Sequence, residues 1–191
     1  MEKYAIKLPK TLQFTDDEFY AFCQENRDLR FERNTYGEII IMSPTGGLTG
    51  KKNSSITSRL WIWNDENGLG EVFNSSTGFL LANGAMRSPD AAWIAKSRWD
   101  ALSYDEQEKF PPLCPDFIVE LISPSDTLKE SQEKMDEWMA NGCRMGWLIF
   151  PKEEKAWIYH DNKVEPTIGF DQTLSGKTVL PGFTFDLAWL K

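Results

Sequence analysis

The chain has 191 residues, 41% hydrophobic and 26% charged, with eight Trp and twelve Phe. That length and composition fit one soluble domain, taken as 1–191, with an aromatic-rich core. A net charge of −8 excludes a protein that coats nucleic acid by bulk attraction, and a lone histidine, His160, excludes His-rich zinc sites and several-histidine triads. No apolar run approaches a membrane span, and Met1-Glu2-Lys3-Tyr4 leads into no signal-peptide core. Cys23, Cys114 and Cys143 are odd in number and lack metal-ligand spacing, so a reducing cytoplasm is expected.

Thr15-Asp16-Asp17-Glu18 is a capping box, which predicts a helix to about residue 26 with Phe19, Phe22 and Cys23 inward. Residues 29–33 and 38–42 flank Asn34-Thr35-Tyr36-Gly37 as a hairpin. After a loop at 43–47, Ile56, Leu60 and Trp63 predict a helix over about 49–67, ended by Gly68. Strands follow at 72–73, at 78–81 before an Asn83-Gly84 turn, and at 91–94. Residues 97–112 read as a short helix and a Pro-rich loop, and 116–122 as a buried strand. A helix over about 128–141 ends at Gly142; strands at 145–150 and 156–159 then join through 151–154. Asp161-Asn162 turns the chain, and 183–187 forms a last strand. This order is α+β or α/β with a mixed sheet, in which the 116–122 strand, helix and 145–150 strand form a right-handed parallel crossover.

Glu120 lies in the middle of Asp116-Phe117-Ile118-Val119-Glu120-Leu121-Ile122, on one face with Ile118 and Ile122. A carboxylate there costs several kcal/mol unless it is paired, protonated or bound to metal. Asp90 follows Pro89 and opens another apolar strand, where it either caps a turn or joins Glu120 around a divalent cation. With one histidine, ligation must lean on oxygen, which favours Mg²⁺, Mn²⁺ or Ca²⁺. Asp116, at a strand start, reads as a turn residue. Lys134 borders the apolar face of Leu128, Met135, Trp138 and Met139. It either reaches back toward Glu120 or stays at the surface with Glu130, Asp136 or Glu137. Glu32 reads either as part of a solvated edge strand or as a further acid of the site.

Phe31-Glu32, Gly37-Glu38-Ile39, Met42-Ser43-Pro44, Ser88-Pro89-Asp90, the run from Pro115 to Asp126, Lys134-Met135-Asp136-Glu137-Trp138, Gly142 and Gly146-Trp147-Leu148-Ile149 occur in that order. Together, over about residues 15–187, they resemble the Uma-two family of proposed restriction endonucleases, a branch of the PD-(D/E)XK nuclease superfamily. The resemblance implies a restriction-endonuclease-like core, a central mixed sheet flanked by helices. It implies Mg²⁺, or Mn²⁺, held by Asp90 and Glu120, with Glu32 nearby. Ile122 stands where the general motif has lysine, and the resemblance assigns that role to Lys134 on the next helix. The implied activity is hydrolysis of DNA phosphodiesters by a cytoplasmic homodimer. The alternative is an inactive nuclease-fold module that binds nucleic acid or protein. Trp99, Trp157 and Trp189 are candidates for a dimer surface.

Overall fold

A computed structural model describes residues 4–9, 12–161 and 163–191. It begins with a short strand, β1 (Tyr4–Ile6), and the capping box then starts α1 (Asp16–Glu25), with Thr15 and Glu18 bonding each other reciprocally. β2 (Arg30–Arg33) and β3 (Ile39–Met42) form the expected hairpin. Gly37 adopts φ 78° in its turn, a conformation that favours glycine. α2 (Gly47–Asn67) starts at Gly47 rather than Thr49, and Gly68 ends it at φ 63°. β4 (Gly70–Asn74), β5 (Phe79–Leu80), β6 (Met86–Arg87) and β7 (Ala91–Ala95) follow. The helix expected within 97–112 is two helices, α3 (Lys96–Trp99) and α4 (Tyr104–Glu108), because Ser103 and Glu106 make a second capping box.

β8 (Phe117–Leu121), α5 (Leu128–Ala140), β9 (Met145–Phe150) and β10 (Lys155–His160) stand where the apolar pattern placed them. The last segments are β11 (Lys163–Val164), β12 (Ile168–Gly169), β13 (Thr173–Ser175) and β14 (Thr184–Asp186). Strands as short as β1, β11, β12 and β13 give no readable alternation and exist through their pairing. Of the expected Asp161-Asn162 turn, Asp161 has φ 52° and Asn162 lies outside the described residues.

The strands form a mixed α+β architecture. The larger sheet runs β11-β10-β9-β8-β7-β4, with β12 also on β10. β8 and β9 are parallel, joined through α5, and the remaining pairs are antiparallel. A five-stranded antiparallel sheet runs β1-β3-β2-β6-β5. β2 is therefore interior to its sheet, and Glu32 does not sit on a solvated edge; it is 4% exposed.

Alternation along β8 sends its side chains to two cores. Phe117, Val119 and Leu121 pack with Ile56, Leu60 and Trp63 of α2 and with Phe183 and Phe185 of the tail. Ile118 and Ile122 pack with Met135 and Trp138 of α5. A third core sets Phe19 of α1 against Phe31, Ile39 and Met86. Trp99 and Trp157 pack against the α5-side core, whereas Trp189 remains 45% exposed. No helix among the described residues is long and apolar enough to cross a membrane.

Candidate active site

Ala91 pairs with Val119 across the antiparallel β7–β8 contact. One residue further, Asp90 stands across from Glu120, on the face that Ala92 and Ile118 turn toward α5. The two acids therefore share a side of the sheet and line one cleft of about 1070 Å³. The Asp90 carboxylate also finishes the edge of β8: Oδ2 accepts the Leu121 amide at 2.7 Å, and Oδ1 accepts Asn53 Nδ2 at 2.7 Å.

α5 brings the cation. Met135 and Trp138 anchor its inner face at 0% exposure, and Lys134, beside them, turns along the sheet instead of to solvent. Its Nζ lies 3.0 Å from Glu120 Oε1 and 2.9 Å from Glu32 Oε1, and donates to the Ser88 carbonyl at 3.2 Å. The surface pairing with Glu130, Asp136 or Glu137 is not the arrangement adopted. The Trp138 indole donates to the same Glu120 oxygen at 2.8 Å. Glu120 Oε2 receives no protein donor among the described residues.

Glu32 is fully engaged. Its Oε1 accepts from Lys134 and the Ser88 amide, and its Oε2 from Arg87 at 3.0 Å. Arg87 continues to Glu137 Oε2 at 2.6 Å, and Asn83 joins the same acid at 3.1 Å, clamping α5 to the β5–β6 turn. Asp116 lies away from this cleft and is more than a turn residue. At 1% exposure it accepts the Ala95 amide at 2.9 Å and pairs with Arg98 at 3.0 Å and Arg144 at 3.5 Å.

These contacts set the protonation states. Burial pushes the Glu32 carboxyl up, but Lys134 and Arg87 outweigh it and hold the group below its ordinary range. Burial raises Asp90, tempered by the Leu121 amide, Lys134 and Asn53. Burial, with Asp90 and Glu32 adding to it, lifts Glu120 to about 7 despite Lys134. Burial works against the Lys134 charge, yet Glu120 and Glu32 raise its pKa above the usual lysine value. Lys134 is therefore a fixed cation at neutral pH. Four carboxylates, Glu32, Asp90, Glu120 and Glu137, meet two cations, Arg87 and Lys134, which leaves two negative charges when all are ionised.

Asp90 and Glu120 supply hard oxygen donors suited to Mg²⁺, an ion that commonly takes one or two carboxylates and keeps several waters. Asn53 Oδ1, on the residue that holds Asp90, is a buried acceptor without a partner, which fits a hydrated cation beside it. Among the described residues no group of three or more His, Cys, Asp or Glu side chains is placed to hold a metal ion, consistent with Glu32 being consumed by Lys134 and Arg87.

Reasoning from sequence missed Asn53, Arg87 and the polar use of Trp138. Asn53 had a signal: it continues the 56, 60, 63 stripe of α2 one turn upstream. Arg87, in a two-residue strand, had none.

The crystal structure of "a putative nuclease belonging to DUF820 from Anabaena variabilis ATCC 29413" shares the fold, with a TM-score of 0.73 at 18% identity over 93% of this chain and 99% of that one. The chain belongs to the Uma2 family, described as "Putative restriction endonuclease", whose model matches residues 16–188. Among curated proteins, none matches the chain.

Proposed function

We propose that the protein is a Mg²⁺-dependent endonuclease that hydrolyses DNA phosphodiesters, with Mn²⁺ as an alternative ion. The observation that carries this reading is Lys134 Nζ at 3.0 Å from Glu120 Oε1, in the cleft where Asp90 opposes Glu120. A lysine fourteen positions along the chain thereby takes the place that Ile122 leaves empty in the strand motif. Family membership and the shared nuclease fold support the same reading.

Asp90 and Glu120 would hold the metal. When bound, the ion supplies Lewis-acid polarisation of the phosphate and acidification of the attacking water. The residues of the chain do the rest. Asn53 and the Leu121 amide fix the Asp90 carboxylate, and Trp138 fixes Glu120. Lys134 stays protonated, so it serves as a cation that orients water and offsets charge growing on the phosphate, not as a base. Glu32 and Arg87 hold Lys134 in place.

The test is plasmid cleavage by the purified protein. Supercoiled DNA is expected to be nicked or linearised with Mg²⁺ or Mn²⁺ and to stay intact in EDTA or with Asp90→Asn. Intact plasmid under every metal condition, with DNA still bound, would identify the inactive binding module instead. The proposal includes a homodimer. Trp61, Ile62 and Trp189 expose apolar surface for it, at 55%, 52% and 45%. Sedimentation equilibrium should give twice the 22.0 kDa chain mass, and a monomer at high concentration rules the dimer out.

A further inference from the structure

The cleft beside Asp90 and Glu120 has one wall that the proposed chemistry leaves unexplained. Arg30 pairs with Met42 and Glu32 with Ile40 across the β2–β3 hairpin, so these four side chains share the face turned to the cleft. Ile40 and Met42 make that face apolar, and Tyr36, Pro44 and Leu48 extend it along the rim. Tyr36 is 79% exposed and Leu48 75%. Single exposed apolar side chains are unremarkable; here several lie together on one wall of a concave site.

The turn that carries Tyr36 is also held firmly. Asn34 Oδ1 accepts the Tyr36 amide at 3.0 Å and the Glu38 amide at 2.9 Å, and Asn34 Nδ2 donates to Glu38 Oε2 at 2.7 Å. The Asn34 amide bonds the Glu38 carbonyl at 3.0 Å, and the Gly37 amide bonds the Asn34 carbonyl at 3.0 Å. This tip presents an aromatic ring to solvent on a turn whose backbone is already fixed by these bonds.

Charge distinguishes the possible occupants. The cleft is lined by seven carboxylates against three cations, Arg30, Arg87 and Lys134. Arg87 and Lys134 are already taken up by Glu32, Glu120 and Glu137. A duplex brings the phosphates of two strands to this acidic cleft and a single strand those of one, so the excess of carboxylates weighs more heavily against the duplex. Unpaired bases add a contact that a duplex withholds: they expose flat apolar faces that stack on aromatic rings and lie on aliphatic surface. Resting on the nuclease reading, we propose that the β2–β3 wall seats unpaired nucleobases, with Tyr36 as stacking platform, so that the preferred substrate is single-stranded at the scissile phosphate.

The experiment is fluorescence anisotropy with a labelled oligonucleotide of about 20 nucleotides, ample for sites of this type, and with its blunt duplex, both in Ca²⁺. Cleavage of the same molecules is followed in Mg²⁺. The single strand is expected to bind about tenfold more tightly than the duplex. Tyr36→Ala should erase that preference, and Tyr104→Ala, an exposed tyrosine outside the cleft, should not. DNA and RNA versions of the strand show which backbone the site accepts. Duplex bound and cut at least as well as single strand overturns the inference and leaves the nuclease reading standing. Binding and cleavage of neither molecule overturns both.

Discussion

Lys134→Ala is expected to abolish metal-dependent cleavage, lowering the rate by at least about 10²-fold, and to destabilise the fold by about 3–5 kcal/mol at pH 8. The rate effect follows from losing the cation that contacts Glu120. The stability effect follows from burial. Glu32 and Glu120 keep 5% and 12% of their side-chain surface, and Lys134 Nζ lies within 3.0 Å of both. Removing one member of such a group leaves charge uncompensated in a low-dielectric setting. Arg87 continues to neutralise Glu32, so the residual strain falls on Glu120 and Asp90. Protonating Glu120 relieves it. The loss should therefore shrink toward pH 6, and Lys134→Ala combined with Glu120→Gln should recover much of it in a double-mutant cycle. Mg²⁺ affinity should persist, because the ammonium competes with the ion and is not a ligand. Wild-type cleavage by Lys134→Ala, measured on plasmid, would remove the lysine from the mechanism.

The second large effect is a pH-dependent stability that Mg²⁺ reverses. The Glu120 carboxyl is lifted to about 7 in the folded protein, against an ordinary value of 4.5. Burial is the main cause, reinforced by Asp90 and Glu32. Between those pH values the native state holds the proton more tightly than the unfolded chain does. The resulting stability is complete below about pH 4.5 and disappears as pH rises through 7, a loss of about 3 kcal/mol. For a chain of this length that corresponds to roughly 6–12 °C in Tm. Asp90, also raised, contributes with the same sign; Glu32, lowered, contributes stability that is present above its unfolded pKa. Comparing Glu120→Gln with wild type cancels the Glu32 contribution to first order. The difference in unfolding free energy should move toward the variant by about 3 kcal/mol from pH 4.5 to pH 8. Because Mg²⁺ requires the ionised acids, it should raise the wild-type Tm more at pH 8 than at pH 6 and leave Glu120→Gln unmoved. Asp116→Asn serves as the contrast. It disturbs a buried acid held by Ala95, Arg98 and Arg144, so it should lower Tm while retaining the Mg²⁺ response. A wild-type Tm that Mg²⁺ leaves unchanged at pH 8 would count against metal binding by Asp90 and Glu120.

Much of this molecule was legible because local rules and the fold agree. The Thr15–Glu18 box, the apolar stripe of α2, the β8 run and Gly142 after α5 all encode their elements within a few residues. Glu120 was conspicuous for the same reason: a charge breaking a buried strand needs a partner wherever it lies. Where pairing alone makes the element, the sequence is silent, as with β1, β11, β12 and β13, and as with the interior position of β2 that buries Glu32.

The sequence by itself determined that buried acids exist, that oxygen chemistry is the chemistry available, and which helix stands next to the Glu120 strand. Only the tertiary structure decided which way Lys134 turns, since a lysine bordering an apolar face fits solvent and sheet equally well by spacing. The choice came from groups distant along the chain. Glu32 on β2 and the Ser88 carbonyl offer the ammonium acceptors beside Glu120, and Arg87 ties Glu32 and Glu137 together behind it. Asn53 entered for a similar reason, because α2 packs over β4 and β7 and presents an amide to Asp90 at 2.7 Å. Periodicity records which face of an element is buried; it does not record which charges meet there, because Coulomb and hydrogen-bond partners are chosen by distance in space and not by separation in sequence.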